Sequence, residues 1–206
     1  MIIAVDGPAA SGKGTIARAL AARYKLPHLD TGLLYRAVGQ TVLDRGGDPA
    51  NPADALAACT FDDAILGDPR LKGSAAGNAA SVASAHPQVR AALIDRQRSF
   101  AAQPGGAVLD GRDIGTVIAP EADVKLFVRA TSAIRARRRH DELLRSGATI
   151  SYDKVLADIQ ARDKRDSSRA TAPLRQADDA LLLDTSFLSP EAAIAKAVQM
   201  VEQRRA

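Results

Sequence analysis

Short apolar runs alternate along the chain with stretches whose apolar residues recur every three or four positions. That alternation is the signature of strands feeding helices in an α/β fold with a mostly parallel sheet. Ile2 to Val5 is a continuous apolar run ahead of a Gly-rich turn and predicts a buried central strand. After the turn, Ile16, Leu20 and Tyr24 recur at i+4 and define a helix that Pro27 brings to an end. The short stretch His28-Leu29-Asp30 comes next, followed by a helix marked by Val38 and Val42 and stopped at Gly46-Gly47. From Asp48 to Gly77, Pro49, Pro52, Pro69 and several glycines break the pattern, so this part reads as an insert. An Ala-rich helix is expected from about Asn78 to Ala85, and another carrying Val89, Leu93 and Phe100 after His86-Pro87.

Ala107 to Leu109 and Val124 to Val128 read as the next two buried strands, with a helix expected after each. Ser132 is placed to cap a helix running to about Arg145, with Gly147 just past it, and Ser151 to cap another running to about Arg165. Leu181 to Leu183 is a last strand. Ser189-Pro190 is a cap and first-position pair for a final helix bearing Ile194, Val198 and Val201.

Composition narrows the class. With 206 residues, 46% of them hydrophobic and 25% charged, the chain is long enough for one compact domain with an insert or lid and short for two. No apolar run approaches the roughly 18 residues a spanning helix needs, and Met1 to Asp6 lacks the basic and long apolar regions of a secretory signal, so a cytoplasmic location is expected. A lone cysteine, Cys59, excludes an internal disulfide and a zinc module and reads as a buried small apolar side chain. His28, His86 and His140 are scattered without ligand spacing and read as structural or solvated. The net charge of +4 is uneven: Arg129 to Arg169 holds 11 Lys and Arg against 6 Asp and Glu. Aromatics make up only 3% and tryptophan is absent, which argues against a surface that grips single strands by stacking and favours small phosphorylated ligands.

Gly7-Pro8-Ala9-Ala10-Ser11-Gly12-Lys13-Gly14-Thr15 satisfies G-x-x-x-x-G-K between a predicted strand and a predicted helix. Backbone N–H groups of such a loop converge on phosphate oxygens, and the following helix adds its positive end. Lys13 then places an ammonium against the phosphates between which charge moves. The slot after the lysine is Gly14, and the hydroxyl comes one place later at Thr15, so Mg2+ is expected to arrive on ATP, with Thr15 a candidate ligand.

Three further motifs follow in order. Asp30-Thr31-Gly32-Leu33-Leu34-Tyr35-Arg36 opens a helix, and Asp110-Gly111-Arg112-Asp113-Ile114-Gly115-Thr116 follows a strand, where ligands of open α/β sheets bind. Arg162-Asp163-Lys164-Arg165-Asp166-Ser167-Ser168-Arg169 ends the basic segment as either a solvated face or a phosphate clamp. With the phosphate loop, these motifs closely resemble the bacterial cytidylate kinases over nearly the whole chain. The G-K-G-T form itself is similar to that of nucleoside monophosphate kinases, and adenylate kinases would be expected to show D-G-F-P-R in place of D-G-R-D.

The resemblance implies a P-loop kinase fold, an α/β architecture with a central parallel five-stranded sheet flanked by helices. It also implies a core of about 1–47, 87–130 and 170–206, an insert at about 48–86 that binds the acceptor nucleotide, and a lid at about 145–169. It implies ATP-dependent phosphorylation of CMP and dCMP, with the phosphate loop from Gly7 to Thr15 holding ATP. Thr31, where the family usually has Ser, would lie by the acceptor, and Arg36 would hold its phosphate. Ser81, Arg90 and Asp113 resemble the group that reads cytosine. Arg112 and Arg169 resemble phosphate-binding arginines, and Arg162 and Asp166 contacts to the sugar and phosphate. Lys13, Arg112, Arg162 and Arg169 would carry the catalytic charge. A carboxylate with a guanidinium suits cytosine, which offers an amine donor and a ring-nitrogen acceptor. Where the family has a sizeable insert with a small sheet, Phe61 to Gly77 is short and poor in β-branched residues. A monomer with no nucleic-acid or membrane partner is expected. The competing readings are a P-loop kinase for UMP, AMP or shikimate, and a non-catalytic nucleotide-binding regulatory protein.

Overall fold

A computed structural model describes residues 1–205. Five strands form one sheet: β1 (Ile2–Asp6), β2 (His28–Asp30), β3 (Ala107–Gly111), β4 (Val124–Arg129) and β5 (Leu181–Asp184), in the order β2-β3-β1-β4-β5. The pairs β1 with β3, β1 with β4, and β4 with β5 are parallel, with Val5 opposite Asp110 and Leu126. The centre of the sheet follows from the sequence: β1 and β3 are almost wholly buried, and a continuous apolar run tolerates cover on both faces. β5 lies at the edge, so of its three leucines only Leu183 is buried and Leu182 is exposed.

The chain divides into two compact units, Met1–His28 with Ala101–Ala206, and Leu29–Phe100. In the first, α1 (Lys13–Tyr24) and α8 (Pro190–Arg205) cover the sheet, Ile16 and Leu20 meeting Val5, Val108 and Leu126, and Ala197 and Val201 joining the same core. α6 (Ser132–Arg145) and α7 (Tyr152–Ser168) share a smaller core of Ala136, Leu143, Val155 and Ile159. The second unit is helical: α2 (Thr31–Asp44), α3 (Pro52–Ala57), α4 (Ser74–Ala83) and most of α5 (Pro87–Ala101). Its core is built from Leu34, Val38, Val42, Ala80, Ala83, Val89 and Leu93. Gly39 lets α2 and α4 meet backbone to backbone, because a Cβ there would stand 2.7 Å from Ala80 N.

Several local expectations are corrected. Thr131, not Ser132, caps α6: its backbone is extended and its hydroxyl accepts from Ile134 N at 3.4 Å, leaving Ser132 as the first helical residue. The Ala-rich helix spans Ser74–Ala83, starting four residues before the expected Asn78 because Ser74 to Gly77 continue the same turn pattern after Gly73. The insert holds α3, capped by Asn51 accepting from Ala53 N, and two 3-10 turns at Asp63–Gly67 and Pro69–Lys72, each capped by an Asp side chain. No helix of regular length follows β3. A five-residue π-type turn, Ile114–Ile118, takes its place, and its first two amides are drawn out to the Asp6 carboxylate. Ser151 and Ser189 cap α7 and α8 as expected. Cys59 is half-buried rather than buried, its thiol donating to Ala55 O at 3.4 Å and pushed up in pKa by desolvation.

Candidate active site

The phosphate loop fills the space between β1 and α1. Gly7 is required there, because a Cβ would stand 2.1 Å from Val128 O, and Gly12 adopts a left-handed φ of 90°. Ala10 takes φ 58°, a conformation an L-residue accepts only when its surroundings impose it. No side chain caps α1 and its first turn holds no acidic residue, while Thr15 N and Ile16 N both donate to Gly12 O at 3.1 Å. Lys13 Nζ lies 3.9 Å from Asp110 Oδ2. The other oxygen of Asp110, buried at the end of β3, is 2.8 Å from His28 Nε2. A Cβ on Gly14 would approach the same carboxylate at 3.6 Å.

The basic segment divides its labour. Arg135 is buried, and it donates from Nε to Ala130 O at 2.8 Å and from Nη1 to Ala9 O of the phosphate loop at 3.2 Å. Its two terminal nitrogens also grip both Asp163 oxygens, at 2.9 and 2.5 Å. Arg138 donates to Thr185 O at 2.6 Å and to Thr185 Oγ1 at 3.1 Å, and Thr185 Oγ1 donates to Ser11 O at 2.8 Å. Two arginines of the basic segment therefore hold the loop's carbonyls, Arg135 that of Ala9 and Arg138 that of Ser11. A cleft of about 250 Å³ adjoins the loop, lined by Ala10, Gly12, Thr15, Arg138, Glu142 and Leu188 among others.

The D-G-R-D loop is joined to the phosphate loop at two points. Gly7 N donates to Gly111 O at 3.3 Å, and Asp6 accepts from Ile114 N and Gly115 N, each at 2.8 Å. Arg112 Nε donates to Asp166 Oδ2 at 2.8 Å, Arg162 Nε lies 4.0 Å from the same oxygen, and Arg169 Nη2 lies 3.9 Å from Asp113 Oδ1. Three of the candidate arginines thus gather around two candidate carboxylates, Asp113 and Asp166, both buried in one unit. Burial alone would push the Asp166 carboxyl up, yet Arg112, Arg162 and Arg169 hold it below the usual carboxylate range. Arg169 Nε also donates to Ala172 O at 2.7 Å, fixing the turn after α7.

The remaining candidates, Thr31, Arg36, Ser81 and Arg90, fall in the helical unit. Thr31 opens α2 and Ser81 sits inside α4, both buried. Arg36 Nη1 donates to Leu71 O at 2.6 Å and Gly73 O at 3.0 Å, with Gly77 so close that a Cβ would stand 3.1 Å from the guanidinium. The Arg90 guanidinium, buried, lies 5.5 Å over the Tyr35 ring.

Sequence reasoning left Asp6, His28, Asp110, Arg135, Arg138 and Thr185 without a role. An acidic residue ending an apolar strand directly before the first loop glycine was a usable signal for Asp6. His28 follows the expectation for a structural histidine, and so do His86 and His140, which bond to Pro49 O and Ile150 O.

A phosphate loop between the first strand and first helix of a parallel five-stranded sheet, with arginines clustered after a neighbouring strand, defines a P-loop kinase fold. An uncharacterized protein from Eubacterium ventriosum has a similar fold, with a TM-score of 0.56 at 16% identity over 98% of each chain. A cytidylate kinase family model matches residues 3–203. The cytidylate kinase of Xanthobacter autotrophicus is 61% identical over 100% of this chain and 99% of its own, and that of Rhodopseudomonas palustris 56% identical over 100% and 98%. The cytidylate kinase of Nitrobacter winogradskyi is 55% identical over 100% and 97%. The chain belongs to the cytidylate kinase family.

Proposed function

We propose that this chain transfers the γ-phosphoryl group of ATP to the phosphate of CMP or dCMP, giving ADP and CDP or dCDP. The observation that carries the reading is the bonding of the phosphate loop to the D-G-R-D loop, with Arg112, Arg162 and Arg169 gathered beside it. A phosphoryl group with negative charge on both donor and acceptor oxygens needs this concentration of fixed positive charge.

The donor phosphates would lie on the loop from Gly7 to Thr15 against Lys13, and the adenosine in the adjoining cleft. Mg2+ would enter on the ATP phosphates. Asp110, beside Lys13 and the Gly14 slot, and the Thr15 hydroxyl are the oxygen donors that would face it, and when bound it neutralises charge between the phosphates.

On the acceptor side, Thr31, Arg36, Ser81, Arg90, Arg112, Asp113, Arg162, Asp166 and Arg169 are the residues assigned to CMP. The Asp113 carboxylate accepts from the exocyclic amine and Arg90 donates to the ring-nitrogen acceptor. Uracil would leave both mispaired, at about 1–3 kcal/mol per unsatisfied group. The acceptor phosphate is already ionised at neutral pH, so no general base is required, and catalysis reduces to in-line placement and cancellation of charge by Lys13, Arg112, Arg162 and Arg169. The stretch of about 145–169 acts as the lid that excludes water, and about 48–86 as the acceptor-binding insert. Among the described residues no helix is long and apolar enough to cross a membrane. A cytoplasmic monomer without nucleic-acid partners completes the reading.

The test is ADP release from Mg-ATP with CMP, dCMP, UMP, AMP or shikimate as acceptor. Strong release with CMP and dCMP, weaker release with UMP and almost none without acceptor is the expected outcome. Equal release with UMP or AMP would overturn the cytosine assignment, and none with any acceptor would favour a nucleotide-binding regulator.

A further inference from the structure

Asp6 occupies an unusual position for a charged side chain. It ends the central strand β1, is 5% exposed, and stands immediately before the first glycine of the phosphate loop. Both of its oxygens accept main-chain donors, Oδ1 from Ile114 N and Oδ2 from Gly115 N, at 2.8 Å each. A carboxylate held by two convergent amides has one orientation, and the converse holds as well: the two amides have one position. They belong to the residues directly after Arg112 and Asp113, at the start of the π-type turn Ile114–Ile118, whose own bonds, from Val117 N and Ile118 N to Asp113 O and from Ala119 N to Ile114 O, leave these first two amides to Asp6.

Space around the contact is closed. A Cβ on Gly115 would stand 3.1 Å from the Lys125 stem and 3.4 Å from Asp6 Oδ2. Lys125 in turn is fixed by Asp179, at 3.0 and 2.8 Å. The loop that presents Arg112 and Asp113 is therefore clamped from the strand side by Asp6 and from the far side by a pinned lysine stem.

The geometry points to Asp6 as a positioning residue for acceptor recognition, acting through the main chain of Ile114 and Gly115 to fix Arg112 and Asp113. It makes the aim of the acceptor-reading carboxylate depend on the strand that also sets the phosphate loop. This inference rests on the acceptor roles proposed above for Arg112 and Asp113.

Asp6→Asn is nearly isosteric but presents one oxygen and one NH2 to two donors, so one charge-assisted bond is lost and two donors confront each other. The expected result is a rise of about tenfold to hundredfold in KM for CMP, with KM for ATP within about twofold of the parent. Gly115→Ala loosens the same contact from the other side without altering the carboxylate and is expected to shift KM for CMP in the same direction. Asp113→Asn serves as the reference, and thermal unfolding identifies which variants fold. A selective rise in KM for CMP in whichever of the first two variants folds supports the inference. Unchanged KM for CMP there, beside a raised one in Asp113→Asn, overturns the inference and leaves the proposed acceptor site standing. No change in any of the three overturns both. An equal rise for ATP and CMP in Asp6→Asn also overturns it, since the carboxylate would then act through the phosphate loop.

Discussion

Arg135→Met removes the guanidinium that joins three parts of one unit: the phosphate loop at Ala9, the end of β4 at Ala130, and α7 at Asp163. Methionine retains the apolar stem in a site where the arginine side chain is 5% exposed. Four hydrogen bonds disappear, and Ala9 O, Ala130 O and the Asp163 carboxylate lose a donor. Removing one partner of a buried ion pair costs about 3–5 kcal/mol, but Asp163 keeps 28% of its side chain in solvent and water compensates it in part. A loss of about 2–3 kcal/mol results. For a chain of this length that lowers Tm by about 4–12 °C. Urea unfolding followed by circular dichroism gives the free energy directly, and saturating ATP separates the two roles of the residue. If Arg135 holds the loop rather than the phosphates, KM for ATP measured well below the lowered Tm rises far less than for Lys13→Met. A loss of stability below about 1 kcal/mol would refute the reasoning, and so would an ATP defect as large as that of Lys13→Met, which would place Arg135 on the phosphates.

Other consequences are as direct. Gly39→Ala places a methyl 2.7 Å from Ala80 N, forcing α2 from α4, and is expected to cost about 1–3 kcal/mol in urea unfolding; an unchanged midpoint would contradict the packing. Desolvation raises the Asp6 carboxyl to about 7, against the amides of Gly115 and Ile114, with Asp113 adding to the rise and Arg112 opposing it. Because this folded value lies above the unfolded one, the group's stabilising contribution is complete below about pH 4 and is lost as the pH climbs towards 7. The parent is therefore expected to lose stability between about pH 4 and 7 more steeply than Asp6→Asn, and parallel curves would count against that burial. Lys13→Met is expected to lower kcat at least about a hundredfold, and near-parent turnover would remove the lysine from the chemistry.

The strands were readable because buried runs such as Ile2 to Val5 and Ala107 to Leu109 have nothing else to do. The phosphate loop was readable because its glycines meet a steric demand that a motif records, as Gly7 does against Val128 O. Arg135 and Arg138 were not separable from their neighbours in Arg137 and Arg139. Which arginines turn towards carbonyls depends on the helix phase relative to Thr185 and Asp163, residues 47 and 28 positions away. The turn after β3 was misread as a helix for a similar reason, since its amides are claimed by Asp6, 108 residues earlier. Local periodicity carries no record of such long-range capture. The roles proposed for Ser81 and Arg90 come from the family resemblance alone, and the structure adds that both are buried and that Arg90 is stacked over Tyr35.

Phosphorus NMR of the protein with Mg-ATP and CMP follows donor and acceptor in one sample. The account predicts β- and α-phosphate signals of CDP growing in step with those of ADP, one for one, with inorganic phosphate almost absent. ADP accompanied by inorganic phosphate and no CDP would contradict it, because the chain would then hand the phosphoryl group to water.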